Sequence, residues 1–307
     1  MEGIDFGVQI EPQYGFTYEK IRGIASEAER LGYESIWVSD HLFMTDDSTD
    51  VNCLECWTVL TALARDTERL RLGAMVTAQS YRNPALLANM AASIDHISGG
   101  RLNFGIGAGW KQVEYEAYGY RFPSAARRIR QLNEAVEIAK RMWTMPKASF
   151  EGRHYRVKDA LCMPKPVQDP LPIWIGGTGD RTLRVAAKHA HAVNFAWTHP
   201  PSFFEDRFKV LRRHCERIGR DYDGIRKSAG VMMRLMDDPE AAEPRRDERY
   251  VRYLGRQNPV LVASPEAVAE RLRELMGVGV THFILRFHYG EEMEMLRRFM
   301  DEVAPII

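Results

Sequence analysis

The chain of 307 residues lacks three features that would assign it to a specialised class of protein. No apolar run approaches the roughly 20 residues that a membrane-spanning helix needs. Neither sign of charge is in excess, because 42 Lys and Arg residues face 42 Asp and Glu residues. This balance argues against nucleic acid or an anionic membrane surface as the main partner. Four cysteines are too few for a disulfide scaffold, so we expect reduced thiols.

Two further absences concern the amino terminus and metal ligands. The first residues include Glu2 and Asp5 and lack the basic-then-apolar order of a signal peptide. Cys53 and Cys56 have the spacing of a redox or zinc pair, but the chain has no second pair and no matching set of histidines. We therefore expect a cytoplasmic globular protein that binds no metal.

What the sequence does contain is a strand-then-helix pattern that occurs eight times. The predicted strands are residues 4–10, 35–39, 70–77, 101–108, 172–176, 192–196, 226–235 and 280–287. The predicted helices are residues 17–31, 54–66, 84–97, 125–143, 182–189, 202–218, 265–276 and 291–303. Eight such units predict a single-domain (β/α)8 TIM barrel over residues 1–307. An open doubly wound sheet is the alternative, but its first turn, residues 11–15, has no nucleotide fingerprint.

Two stretches do not fit the eightfold pattern and are predicted to be insertions. Residues 147–163 indicate a hairpin before the fifth strand, with Glu151-Gly152 as its turn. Residues 237–259, between the seventh and eighth strands, are dense in charge. They are either a solvated helical excursion or a mobile lid over the barrel mouth.

Polar side chains collect where the predicted strands end, which is the face that carries the chemistry in barrels of this kind. Asp40 and His41 end the second strand. A histidine titrates near neutrality, and an adjacent carboxylate can raise its basicity, so His41 is a candidate acid or base. The same spacing also allows Asp40 to cap a turn and His41 to pack on Trp37. The other polar strand ends are Gln9, Thr77, Asn194, Arg234, Arg286 and His288, and together they predict a small-molecule site.

Two glycine-rich segments follow or lie within predicted strands. Residues 176–179 (Gly-Gly-Thr-Gly) precede a helix, where backbone N–H groups and the helix N-terminus can bind an anion. Arg181 and Arg184 could add positive charge, although a plain tight turn would use the same glycines. Residues 105–109 lie inside the fourth strand, so we interpret these glycines as facing the lumen or a flat ring.

Six segments resemble the bacterial-luciferase-like superfamily of flavin and deazaflavin oxidoreductases, over nearly the whole chain. They are residues 32–41 (GYESIWVSDH), 67–73, 81–88, 95–102, 105–110 and 172–177. Residues 9–13 and Trp110 resemble the branch that depends on coenzyme F-420. The resemblance implies hydride transfer between coenzyme F-420 and a small organic substrate. A reduced-FMN monooxygenase is the alternative, and a cofactor-binding protein without turnover is a third hypothesis.

The resemblance also implies where a deazaflavin or flavin would bind. Gln9 and Asp40 would position the polar edge of the ring, and His41 would carry the proton that accompanies the hydride. A non-proline cis peptide is implied around Met75-Val76, beneath the ring. The implied cofactor-binding residues are Gln9, Asp40, Met75, Val76, Thr77, Gly107, Trp110, Gly176, Gly177, Thr178 and Gly179. The substrate-pocket candidates are Cys53, Arg286 and His288.

Some positions depart from individual branches of the superfamily. Cys53 and Trp57 keep a spacing found in alkanesulfonate monooxygenases, but the Arg-x-His pair of those enzymes appears here on the eighth strand, as Arg286 and His288. Trp110 stands where sugar-phosphate dehydrogenases carry a carboxylate. Neither substrate is therefore implied. The resemblance further implies a homodimer and a separate enzyme that reduces the cofactor.

Overall fold

The computed structural model describes residues 3–196, 198–238 and 260–307, which contain twelve strands. They are β1 Asp5–Ile10, β2 Ser35–Val38, β3 Arg71–Ala74, β4 Thr77–Ala78, β5 Leu102–Gly107, β6 Ala148–Glu151, β7 Arg156–Ala160, β8 Ile173–Gly176, β9 Ala192–Phe195, β10 Arg226–Leu235, β11 Leu261–Ala263 and β12 His282–Phe287. Parallel pairing runs from β1 through β2, β3, β5, β8, β9, β10 and β12, and β12 returns to β1. The predicted barrel is confirmed.

Helices return the chain along the outside of the barrel. They are α1 Tyr18–Leu31, α2 Cys56–Asp66, α3 Pro84–Ile97, α4 Gln112–Ala117, α5 Ala125–Thr144, α6 Asp180–His189, α7 Pro201–Arg217, α8 Pro265–Gly277 and α9 Glu292–Arg298. Local chemistry sets their ends: the hydroxyl of Thr17 accepts from Lys20 N at the start of α1, and Gly32 ends it at a φ of +88°. None of the described helices is long and apolar enough to cross a membrane.

Large side chains fill the lumen beneath the mouth of the barrel. Trp37 and Trp174 are almost wholly buried there, with ring centroids 4.6 Å apart. Gly73 on β3 leaves room for this layer, because a Cβ at that position would lie 2.3 Å from the Trp37 ring. Replacing Trp37 by alanine would cost about 3–5 kcal/mol of stability. Because the lumen is filled at this level, the open space inside the barrel lies above this layer, towards the C-terminal face.

The third predicted strand is divided in the structure. Strand β3 ends at Ala74, the Met75-Val76 peptide is cis, and β4 pairs with β5 rather than with β2. The cis peptide lies where the family resemblance implied it. The division turns Met75 and Val76 towards the barrel mouth, where they line a cavity.

The predicted hairpin before the fifth barrel strand is present as antiparallel β6 and β7. Its turn differs from the prediction, because Glu151 is still in β6 and Gly152 N donates to Tyr155 O across the turn. The short α4 and β11 were not predicted, since six and three residues are too few to show a period. Most of the predicted lid, residues 239–259, lies outside the described residues.

Candidate active site

A cavity of about 330 Å³ opens at the C-terminal face of the barrel. It is bounded by the ends of the barrel strands and by the loops that follow them. The predicted residues that line it are Gln9, Asp40, His41, Met75, Val76, Gly107, Trp110, Gly176, Gly177 and Thr178. Asn194, a predicted polar strand end, lines it as well, and further lining residues that were not assigned to the site include Glu11, Tyr81, Lys111 and His199. The fold therefore brings most of the predicted set together around one space.

Five of the residues assigned to the cofactor or the substrate pocket lie outside the wall of this cavity, as does the predicted strand-end residue Arg234. Thr77 is fully buried behind it, and Gly179 is the N-cap of α6. The thiol of Cys53 donates to His41 O at 3.2 Å. Arg286 forms an ion pair with Glu11, with Nε and Oε2 2.5 Å apart. His288 lies beside Glu291, with Nδ1 and Oε2 3.8 Å apart. These side chains adjoin the cavity-lining residues or lie farther round the barrel rim.

The acid–base candidate His41 is held by a buried carboxylate from α4. Its Nδ1 lies 3.0 Å from Oε2 of Glu114, which is fully buried. Oε1 of Glu114 accepts from Leu42 N at 2.8 Å and from Lys111 Nζ at 3.1 Å, while the Tyr81 hydroxyl donates to Oε2 at 2.7 Å. Phe43 N also donates to Oε1, at 3.4 Å, so the chain surrounds one carboxylate with five donors.

The charge state of this cluster follows from its surroundings. Burial raises the pKa of Glu114, but the hydrogen bond and charge of His41, the charge of Lys111 and the Leu42 N–H together lower it to about 2. Glu114 is therefore a carboxylate at neutral pH, and a neutral His41 must carry its proton on Nδ1. This leaves Nε2 as the basic nitrogen of the ring.

Asp40 is held in place from behind the cavity wall. Arg82 donates from Nη1 to Oδ2 at 2.7 Å and from Nη2 to Oδ1 at 2.9 Å. The Thr77 hydroxyl also donates to Oδ2, at 2.5 Å, and Glu55 forms a second ion pair with Arg82. Burial lowers the pKa of Arg82, but the charge and hydrogen bonds of Asp40 and the charge of Glu55 outweigh it and raise the pKa. This bidentate pairing fixes the orientation of the Asp40 carboxylate at the cavity wall.

Two glycines make room for Val76 at the floor of the cavity. A Cβ at position 107 would lie 2.7 Å from Val76 Cγ2, and one at position 176 would lie 2.8 Å from Val76 Cγ1. Any larger residue at either position would displace Val76. The two strand-end glycines and Val76 therefore form a smooth apolar surface, which suits a flat ring.

The N-terminus of α6 supplies the other end of the cavity. The helix begins at Asp180, and its N-cap Gly179 has no side chain that could cap the first N–H groups. Gly177 has a φ of +123°, a conformation that other residues rarely adopt. Thr178 and Thr182 line the cavity beside this turn. Open N–H groups with neighbouring hydroxyls are suited to a phosphate.

Arg181 and Arg184 are exposed on α6 close to this turn. Lys188 lies eight residues after Asp180, about 12 Å along the helix axis. Its Nζ donates to Glu137 at 2.6 Å. Arg181 and Arg184 are thus the basic residues of α6 nearest to the turn.

Comparisons with known proteins place this chain in a family. The sequence model described as luciferase-like monooxygenase matches residues 4–260. The chain belongs to this family. It is 26% identical to an F-420-dependent glucose-6-phosphate dehydrogenase of Kineococcus radiotolerans, over 95% of this chain and 94% of that protein. It is 25% identical to a pyrimidine monooxygenase of Stutzerimonas stutzeri, over 96% of this chain and 83% of that protein.

The fold of this luciferase-like enzyme also matches solved structures. An F-420-dependent secondary alcohol dehydrogenase, solved with an F-420–acetone adduct, superposes with a TM-score of 0.84 at 18% identity. The superposition covers 99% of this chain and 98% of that chain. The family resemblance, the barrel and the enzyme class expected from the sequence are therefore confirmed. Among the described residues, no cluster of three or more His, Cys, Asp or Glu forms a metal site.

Sequence reasoning missed the carboxylate that holds His41. Glu114 lies in residues 112–117, which were not predicted to be helical, and its partner His41 is 73 residues away. The spacing of Lys111 and Glu114 was the available signal, since residues three apart share a helix face. Tyr81 belongs to residues 81–88, which carry the family resemblance, but the resemblance implied no site role for it.

Proposed function

We propose that this enzyme transfers a hydride between coenzyme F-420 and a small, uncharged organic substrate. The observation that carries the proposal is the single cavity that joins His41 at one end to the open N-terminus of α6 at the other. Relatives named as F-420-dependent dehydrogenases, at 24–26% identity, support the choice of cofactor.

The residues of the cavity fit such a cofactor. Met75 and Val76 would contact the ring face, and Gln9 and Asp40 would lie at its polar edge. Residues 176–179 and the first turn of α6 would hold the phosphate, because their N–H groups and the helix dipole favour an anion. When bound, the deazaflavin supplies the carbon that accepts or donates the hydride.

His41 is proposed to move the proton that accompanies the hydride. In the oxidation of an alcohol, Nε2 would accept the hydroxyl proton, and in the reverse direction it would return that proton. The Glu114 carboxylate at Nδ1 would stabilise the imidazolium that forms. Trp110, whose ring lies edge-on at 5.6 Å from His41, would shield this end of the cavity from water.

The pairing of charges favours an uncharged substrate. Three cations stand at or just behind the described cavity wall, and each is paired with a carboxylate. Lys111 pairs with Glu114 at 3.1 Å, Arg82 with Asp40 at 2.7 Å, and Arg286 with Glu11 at 2.5 Å. A phosphorylated or carboxylated substrate would have to compete with these partners for a cation.

The test is an anaerobic assay that follows the visible absorption of F-420 with a panel of substrates. We expect small alcohols or carbonyl compounds to support turnover and glucose 6-phosphate to support little or none. Absence of turnover with every substrate, together with absence of F-420 binding, would overturn the proposal. The mass and absorbance spectrum of any small molecule retained during purification provide an independent check.

A reduced-FMN monooxygenase is the second candidate function. The family description and the pyrimidine monooxygenase relative favour it. The same cavity would accept the flavin ring and phosphate, and a separate reductase would have to supply reduced FMN. Oxygen consumption with reduced FMN and tight FMN binding without F-420 binding would replace the first proposal by this one.

A further inference from the structure

A row of buried polar side chains crosses the barrel lumen and ends at the cavity wall. His282 Nε2 lies 3.3 Å from Glu34 Oε2, and Ser228 Oγ lies 3.0 Å from His282 Nδ1. Asn194 Nδ2 donates to Ser228 Oγ at 2.9 Å. His282, Ser228 and Asn194 are all at least 99% buried. No step of the proposed mechanism uses this row.

The stagger of the barrel strands explains how this row reaches the site. Ser228 is in register with His282 on one side and with Asn194 on the other. His282 is the first residue of β12, whereas Asn194 is the third of the four residues of β9. Because the strands are tilted relative to the barrel axis, residues that are in register on successive strands shift along that axis towards the C-terminal face. The row therefore starts at the bottom of the lumen and ends among the residues that line the cavity.

Only one assignment of donors and acceptors satisfies all the hydrogen bonds of the row. The carboxylate of Glu34 only accepts, so the adjacent Nε2 of His282 must carry a proton. Burial lowers the pKa of His282, which keeps the ring neutral and makes Nδ1 an acceptor. The Ser228 hydroxyl then donates to Nδ1 and accepts from an N–H of Asn194.

This order of donors and acceptors fixes the orientation of the side-chain amide of Asn194. The NH2 group of Asn194 faces Ser228, so its carbonyl oxygen is on the side away from the row. Asn194 lines the cavity, and it is in register with Gly176 at the phosphate-binding turn. Its backbone oxygen also accepts from Gly177 N at 3.3 Å. Asn194 therefore lines the same cavity as Val76 and lies next to the turn that precedes α6.

We infer that Oδ1 of Asn194 accepts a hydrogen bond from a ribityl hydroxyl of the bound cofactor, and that Ser228, His282 and Glu34 are positioning residues that fix this orientation. The inference rests on the proposed function, since the ribityl segment joins the ring to the phosphate. If the row were broken, the amide could rotate and present its NH2 group to the cavity instead.

The test compares two serine variants that both remove a hydroxyl from His282. Ser228→Ala breaks the row before Asn194, and we expect the Kd for F-420 to rise about 3- to 10-fold. Ser35→Ala is the matched control, because Ser35 Oγ lies 3.3 Å from His282 Nε2 but does not contact Asn194. It should lower stability at least as much, because Trp37 Nε1 also donates to Ser35 Oγ at 2.9 Å, and it should leave the Kd unchanged. Titration by fluorescence and thermal unfolding measure both quantities.

A double-mutant cycle and a spectroscopic measurement complete the test. Asn194→Ala should weaken F-420 binding at least as much as Ser228→Ala, and the double variant should bind no more weakly than Asn194→Ala alone. The ¹⁵N shifts of His282 should report a neutral ring protonated on Nε2, and Glu34→Gln should change this tautomer.

Equal effects of Ser228→Ala and Ser35→Ala on the Kd, or no effect of Ser228→Ala, would overturn the inference while leaving the proposed function intact. A wild-type protein that binds neither F-420 nor FMN would overturn both. The two failures are distinguishable because the second is already seen before any substitution is made.

Discussion

The two ends of the cavity handle charge in different ways. At the end formed by β2 and α4, His41 and Lys111 both contact the buried carboxylate of Glu114, within 3.1 Å. At the end formed by β8 and α6, the described lining residues Gly176, Gly177, Thr178 and Thr182 carry no charge. There the favourable interactions come from backbone N–H groups and the helix dipole.

This difference corresponds to the two tasks of the proposed enzyme. Proton transfer needs a side chain whose protonation can change, and that side chain needs partners that stabilise both of its forms. Holding a phosphate needs only fixed donors, which do not titrate. We therefore expect substitutions at the first end to change turnover and pH dependence. Substitutions at the second end should change cofactor affinity.

The largest effect is expected from His41→Ala. Loss of the proposed acid or base should lower turnover by about 10²–10⁴-fold and leave the Kd for F-420 within a few-fold of the wild-type value. Steady-state kinetics and a binding titration measure the two quantities separately. If affinity collapses in a folded variant, His41 binds the ring instead. If neither quantity changes, His41 has only a packing role.

The next largest effect is expected from Glu114→Gln. The substitution leaves the buried Lys111 without its anionic partner, which should cost about 3–5 kcal/mol of stability. Turnover should fall about 10–100-fold, because His41 loses the group that orients it and stabilises its charged form. Adding Lys111→Met as a matched second change should restore much of the stability and little of the turnover. Full recovery of turnover in this double variant would contradict the positioning role.

The depressed pKa of Glu114 also predicts how stability depends on pH. Its folded pKa of about 2 lies below 4.5, the ordinary value for a glutamate side chain. The carboxylate therefore contributes up to about 3 kcal/mol above pH 4.5, and this contribution is lost as the pH falls towards 2. Unfolding of the wild type and of Glu114→Gln should become more alike over this range. A stability difference that does not depend on pH would show that the carboxylate is not responsible.

A smaller effect, confined to binding, is expected at the α6 end. Gly177 is unsuitable for a test because its φ of +123° would strain any other residue. Gly179 has a φ of −69° and only Thr182 Oγ1 near its Cβ position, at 3.8 Å. Gly179→Asp should weaken F-420 binding about tenfold by like-charge repulsion, while the nearly isosteric Gly179→Asn should weaken it less. Equal affinities of the two variants for F-420 would show that this turn does not bind the phosphate.

The smallest effect concerns the exposed arginines beyond the turn. F-420 continues past its phosphate into an acidic tail, whereas FMN stops at the phosphate. Arg181→Ala and Arg184→Ala should therefore weaken F-420 binding about twofold each and leave FMN binding unchanged. The preference for F-420 should also decrease at high salt, because exposed charges are screened. A competition between the two cofactors at two ionic strengths provides the measurement.

Local patterns were enough to predict most of the cavity wall. Short stretches of sequence are enough to recognise the periods of strands and helices and the residues that cap helices. The same is true of the glycine-rich residues 105–109 and 176–179. In a parallel barrel the strand ends meet at one face, so predicting the strands also predicted that Gln9, Asp40 and His41 would share it. The division of the third strand could be expected from the family resemblance but not from periodicity.

The sequence by itself determined the barrel and which side chains reach its mouth, because both depend on the order and period of nearby residues. Only the tertiary structure decided which partners hold those side chains. Glu114 meets His41 across 73 residues, and Ser228 meets Asn194 and His282 across 34 and 54 residues. These contacts depend on the stagger of closed strands and on the burial of charge, which are properties of the packed barrel and have no local signature.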